Sequence, residues 1–154
     1  MTDRVTKRGR ADYEIYTDIN IEAPAATVWE TLTDFAAMPA WSSSFQGLDG
    51  DFRASGRVSA RFKMMGRTSS FEHDLIDFVG GSQWAWSDPF GLGMVDHHVY
   101  RVESVTETTS RFVQTDQAKG GAALVLGRLA AIAMRRMYTR FNAELKAEVE
   151  RRAS

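Results

Sequence analysis

The sequence predicts an α+β fold: a first strand, two short helices, a run of short antiparallel strands and one long closing helix. Three observations carry that reading. Apolar and polar residues alternate along residues 13–21 and through most of 45–117, which is the period of half-buried strands. Brief clusters of Gly, Asp and Ser separate these runs, as in a meander; parallel strands would need helical crossovers between them. Beyond Gly120-Gly121 the apolar spacing becomes three and four, the stripe of an amphipathic helix. A sheet of this kind has one face to bury, and the helix has the stripe to cover it.

Taken in order, residues 1–12 read as a flexible basic tail, in which Arg4, Lys7, Arg8 and Arg10 outnumber Asp3 and Asp12 and only Val5 offers an apolar anchor. From Tyr13 to Ile21, the residues Tyr13, Ile15, Thr17, Ile19 and Ile21 share one strand face. Ala23-Pro24 ends that strand, and Pro24 suits the first turn of a helix, where its missing N–H costs nothing. Val28, Trp29, Leu32 and Phe35 follow at helical spacing, and Pro39 breaks a second helical piece just before Trp41. In the sheet region, Val58, Ala60, Phe62 and Met64 alternate on one face. Thr68 to Val79 is a longer run whose apolar parity slips between Leu75 and Ile76, the mark of a bulge. Gly80-Gly81-Ser82 turns the chain. Trp84 and Trp86 then share a face, as do Met94, Asp96, His98, Tyr100 and Val102 further on. Ser110 to Gln117 completes about six or seven strands. The final helix, about 25–30 residues long, turns Leu126, Ala130, Met134, Met137, Phe141, Leu145 and Val149 inward, opposite Arg128, Arg135, Arg140 and Lys146.

Composition narrows the function classes. The 154 residues are 44% hydrophobic and 25% charged, ordinary globular values that exclude disorder and collagen-like architecture. Such a chain folds as one domain, expected over residues 13–152, and buries about 70% of its unfolded surface without metal or disulfide. The absence of cysteine excludes a disulfide scaffold, thiol catalysis and thiolate-bound zinc. A net charge of −1 favours no nucleic-acid partner. Residues 128–152 hold seven bases against three acids, read as a solvated helix face. No apolar stretch approaches the ~20 residues of a membrane span, and the N-terminus has no apolar signal region. A soluble cytoplasmic monomer or homodimer is expected, with transient membrane contact left open. Seventeen aromatics and seven methionines are a large apolar stock, suited to a big core or to a core with a hole in it.

Several residues point further. Ala23-Pro24, Val28-Trp29, Leu32-Thr33-Asp34, Met38-Pro39 and Trp41 resemble the opening of SRPBCC (START-like, birch pollen allergen-like) domains, above all the polyketide cyclase/dehydrase and lipid-transport subgroup. Gly56 ahead of Val58, Ala60 and Phe62 fits as well, with the Trp84/Trp86 pair, His98-Val99-Tyr100-Arg101-Val102 and the Gly-rich lead-in to the last helix. The likeness spans about residues 13–150 and implies a helix-grip fold, a curved sheet wrapped around the C-terminal helix with an apolar cavity between them. Such cavities hold lipids, polyketides, quinones or similar molecules. On that scaffold the ligand-binding wall is expected from Trp41, Phe62, Met64, Phe71, His73, Trp84, Trp86, His98, Tyr100, Ala130, Met134 and Met137.

Dedicated catalytic motifs are absent: there is no nucleophile elbow, metalloprotease motif, phosphate loop or dinucleotide fingerprint. Alternation places His73 and His98 inward, and a neutral imidazole beside the phenol of Tyr100 is suited to moving protons in an aldol or dehydration step. Against this stands a plain core histidine paired with Asp96 or Asp116. His73, His98 and Asp96 match no metal-ligand spacing, so neither metal nor other cofactor is expected. Arg57, Arg61 and Lys63 fall on the outer strand face, while Arg111 or Gln114 could anchor the floor of a pocket. In the turn 87–93, Phe90 and Leu92 are apolar where a turn should be polar, and so read either as a lid over a cavity mouth or a membrane-touching tip, or as side chains tucked onto the long helix. Binding of a hydrophobic small molecule is the primary expectation. A cyclase/dehydrase-type enzyme is the alternative, and a co-chaperone-like interaction module the third.

Overall fold

The computed structural model describes residues 2–64, 66–87, 93, 95–121 and 123–153, without the side chains of Met64 and Leu126. Phe90 and Leu92, the candidate lid, lie outside the described residues. The elements run β1 (Arg4–Gly9), β2 (Asp12–Ile21), α1 (Ala25–Thr33), α2 (Met38–Trp41), β3 (Phe45–Gly50), β4 (Arg57–Met64), β5 (Arg67–Val79), β6 (Gln83–Trp86), β7 (His98–Ser104), β8 (Ser110–Lys119) and α3 (Ala123–Ala153). Eight antiparallel strands form one sheet in the order β1-β2-β8-β7-β6-β5-β4-β3. The 31-residue α3 lies across the sheet, mainly along β2. This is the helix-grip arrangement. No described helix is long and apolar enough to cross a membrane.

Local chemistry explains the elements. Pro24 occupies the N-cap of α1 with extended backbone, and its carbonyl accepts the Val28 N–H at 3.2 Å. Pro39 sits in the first turn of α2, so it opens that helix where the sequence suggested a break, and Trp41 is its last residue. The parity slip in β5 is a bulge: Leu75 pairs with Trp86 but Asp77 pairs with Ala85, leaving Ile76 exposed. Gly56 is required by a close approach, since a Cβ there would lie 2.1 Å from the Asp51 carbonyl oxygen. Gly127 serves α3 in the same way: a Cβ would meet the Tyr13 ring at 2.6 Å, so its absence lets the helix settle onto β2.

The expected N-terminal tail is instead a strand. β1 pairs with β2 from Arg4↔Tyr16 to Lys7↔Tyr13, and the Arg4 guanidinium lies 4.0 Å from the centre of the Tyr16 ring. Asp3 also accepts a hydrogen bond from Thr139 of α3 at 2.6 Å. Every β1 side chain except the half-buried Val5 is exposed, so the strand is held by backbone pairing and has no apolar alternation for a sequence reading to find. Deleting residues 2–11 is therefore expected to lower the melting temperature by several degrees, because each ladder bond contributes a net ~0.5–1.5 kcal/mol. A truncated chain melting with the parent in a calorimetric scan would show that β1 adds nothing to the sheet.

The core is a belt of large rings between the sheet and α3. Trp84, Trp86, Tyr100, Phe112 and Phe141 are essentially buried, joined by Leu145 and Val149 at the end of the helix. A smaller cluster, Tyr13, Ile15, Ala131 and Tyr138, fills the other end.

Candidate functional site

Strand register builds the interior wall. Trp84 faces Tyr100, which faces Gln114, while Trp86 faces His98, which faces Asp116. Two rows of inward side chains thus cross β6, β7 and β8, and each runs from an indole to a polar group. The rings pack face to face where register permits: His98 on Tyr100 at 4.2 Å, His73 on Trp86 at 4.7 Å and Trp84 on Tyr100 at 4.9 Å between centres. Phe45 closes the wall from β3, with its ring centre 5.8 Å from that of Tyr100 and 5.9 Å from that of Phe141.

α3 completes the polar ends of these rows. Gln114 Nε2 donates to Asn142 Oδ1 at 2.5 Å, which turns Gln114 Oε1 towards His98 Nε2, 3.1 Å away. His98 therefore donates from Nε2, and its Nδ1 lone pair is the basic atom of the ring. Burial holds this imidazole neutral, with its pKa lowered to about 3. One step along β8, Tyr138 donates to Asp116 Oδ2 at 2.6 Å. Burial raises the pKa of the Asp116 carboxyl, and it raises that of the Tyr138 phenol well above its ordinary value. Three buried N–H donors, Asn142 Nδ2, Trp41 Nε1 and Trp84 Nε1, find no hydrogen-bond partner among the described residues.

A cavity of about 480 Å³ opens at the edge of this wall. Ser43 and Ser44 before β3, Lys63 of β4, Gly66 in the β4–β5 turn, and Arg136, Met137 and Arg140 of α3 line it. The rim is tied together locally: Lys63 N–H donates to the Ser44 carbonyl at 2.7 Å, and Ser43 N–H donates to Glu144 Oε2 at 2.9 Å. Phe45, next to Ser44 in the chain, is itself buried in the aromatic wall.

A family model described as polyketide cyclase/dehydrase and lipid transport matches residues 13–150. The chain belongs to this family. Solved structures share its fold at low identity. The Zhui aromatase/cyclase of a Streptomyces species superposes with a TM-score of 0.70 at 16% identity, over 93% of this chain and 96% of that one. A START superfamily protein of Mycobacterium smegmatis gives 0.69 at 15%, over 90% and 97%. Norcoclaurine synthase of Thalictrum flavum gives 0.60 at 11%, over 100% and 99%. Among curated protein sequences none matches.

In this polyketide cyclase/dehydrase and lipid-transport family member, the sequence-derived wall residues divide into groups. His73, Trp84, Trp86, His98 and Tyr100 come together in the buried wall. Trp41 and Phe62 are half-buried against Phe141 and Phe45, at 5.5 and 5.2 Å. Phe71 has the inward parity of His73 but is 40% exposed, its ring centre 6.2 Å from that of Phe62. Met137 lines the cavity; Met134 and Ala130 are half-buried and do not line it, Met134 packing instead on the cluster of Tyr13, Ile15, Ala131 and Tyr138. Ala131, Tyr138 and Asn142 carry the inward stripe that Ala130 was expected to share, since the helix turns slightly ahead of an all-apolar count. Met64 belongs to β4, its side chain undescribed.

Other expectations changed more. Of the two candidates on β8, Gln114 is the interior anchor, whereas Arg111 points outward to Asp18 and the Tyr16 hydroxyl. His98 is bonded to Gln114, and the nearby Asp116 bonds to Tyr138 instead. Lys63, expected on the outer face of β4, is exposed and lines the cavity. Asn142 and Tyr138 escaped the sequence reading because a polar residue on an apolar stripe looks like an interruption. Their signal was spacing: they lie four and seven residues beyond Tyr138 and Ala131, on the buried side of α3.

Proposed function

We propose that this domain binds a largely apolar small molecule between the sheet and α3, admitted beside Ser43, Lys63 and Met137. The cavity carries the reading, because about 480 Å³ falls inside the roughly 300–1,000 Å³ of small-molecule sites. Met137 supports it by supplying an apolar surface among the polar groups of the rim. The family's description agrees with a ligand of this class.

The test is a plug. Titration with the neutral fluorophore N-phenyl-1-naphthylamine should give saturable binding and quench the tryptophans. Met137→Trp should weaken that binding about tenfold or more while leaving the melting temperature in place, since Met137 is only half-buried and borders open space. A parent protein without saturable uptake, or a variant that binds as well as the parent, would remove the cavity from consideration.

A further inference from the structure

Building on that ligand-binding reading, we infer that the cavity selects an amphiphile whose apolar body ends in an oxyanion, a carboxylate or a phosphate ester, held at the rim by Lys63, Arg136 and Arg140. The charge at the rim is one-sided. Three cations line the opening; one of them, Arg140, pairs with Glu144 through Nε at 3.0 Å, and that carboxylate is also engaged by the Ser43 N–H at 2.9 Å. Neither Lys63 nor Arg136 has an ion-pair partner among the described residues, although this chain pairs many of its other arginines with acids. A rim that needed only solubility would have no reason to gather one sign of charge around a concavity, where the low-dielectric walls focus the field.

The remaining rim groups suit the same guest. The hydroxyls of Ser43 and Ser44 engage no described residue, and hydroxyl donors complement a carboxylate or phosphate already facing guanidinium groups. Gly66 leaves the space above it open: a Cβ built there would touch nothing within 4 Å. Met137 lines the same cavity and supplies an apolar surface beside the cations. A head group at the rim with an apolar body lying along Met137 places each part of an amphiphile against its own kind of surface. A neutral hydrophobe would leave the cations unanswered.

Isothermal titration of the full chain with octanoate, octyl phosphate, 1-octanol and inorganic phosphate tests this. The two amphiphilic anions should bind about tenfold or more tighter than the alcohol at low salt. That preference should shrink as salt shortens the screening length to about 8 Å at physiological ionic strength. Inorganic phosphate alone should bind at least tenfold more weakly than octyl phosphate. In Lys63→Gln/Arg136→Gln the preference for anions should fall towards parity, the loss of affinity falling on the two anions far more than on 1-octanol, with the melting temperature unchanged. Equal binding of alcohol and acid by the parent, a preference that survives the double substitution, or phosphate binding as tightly as its octyl ester would each overturn the inference while the neutral ligand still binds. Loss of all four ligands together with N-phenyl-1-naphthylamine would instead overturn the underlying cavity reading, and this inference with it.

Discussion

Phe141→Asp is expected to abolish the cooperative thermal transition of this domain. Phe141 is 2% exposed, with its ring centre 5.5 Å from Trp41, 5.9 Å from Phe45 and 6.2 Å from Phe112. Truncating a buried phenylalanine costs about 3–5 kcal/mol through lost transfer energy and the cavity left behind. The aspartate adds a charge with no partner in a nest of rings, a further penalty of several kcal/mol. Domains of this size hold only about 5–15 kcal/mol in total. Phe141→Leu, which keeps most of the apolar volume, should retain a single transition at a lower temperature. An aspartate variant that melted within a few degrees of the parent would show that α3 does not pack on β3 and β8 through this face.

His98→Gln should flatten the acid side of the stability profile. In the folded protein burial lowers the His98 pKa to about 3, from an ordinary 6.5. The unfolded chain therefore binds a proton that the folded chain refuses, and stability is lost as pH falls below about 6.5. The loss grows by about 1.4 kcal/mol per pH unit and amounts to about 5 kcal/mol by the time the folded pKa is reached. Asp116 acts in the opposite sense: burial raises its pKa, so its contribution is fully present below the ordinary carboxyl pKa and fades as pH rises through the folded value. Both proteins keep Asp116, so the gap between their curves isolates the imidazole. Glutamine can still donate to Gln114 Oε1. The variant should start less stable near neutrality, having lost the stacking on Tyr100, and the gap should close as the pH is lowered. Urea midpoints measured between about pH 4 and 7.5 read this directly, and curves that stayed parallel would mean that His98 is protonated with ease in the folded state.

The parts of this molecule legible in its sequence are those where side chains do the holding. β2, β4, the bulge at Ile76 and the closing helix announce themselves because one face of each is buried and the period of burial is written into residue order. β1 is held by its backbone, and its residues look like any polar segment. The site divides along the same line. Trp84, Trp86, His98 and Tyr100 follow from alternation along two adjacent strands. The cavity rim draws on the approach to β3, the β4–β5 turn and the helix, residues that are neighbours only once the sheet has curled and α3 has docked. No local pattern connects Ser43 with Arg136. Nor could alternation choose Gln114 over Arg111, because parity on β8 is fixed by its register with β2 and β7, not by hydrophobic contrast along the strand.

The strand order has a consequence for how the molecule comes into being. Every neighbouring pair in the sheet is adjacent in sequence except β2 and β8, where Asp12 meets Lys119 and Ile21 meets Ser110. All the other hairpins can form as the chain is made, but β2 must wait for a partner roughly a hundred residues away. At translation speeds of about 5–20 residues per second, that interval is roughly 5–20 s. Meanwhile β2 can pair with β1 alone, presenting Tyr13, Ile15 and Ile21 to water on one face and an open hydrogen-bonding edge on its far side. Closure across so long a loop gives the domain a high contact order and a correspondingly slow final folding step. The nascent chain is therefore most exposed to misassociation just before β8 leaves the ribosome.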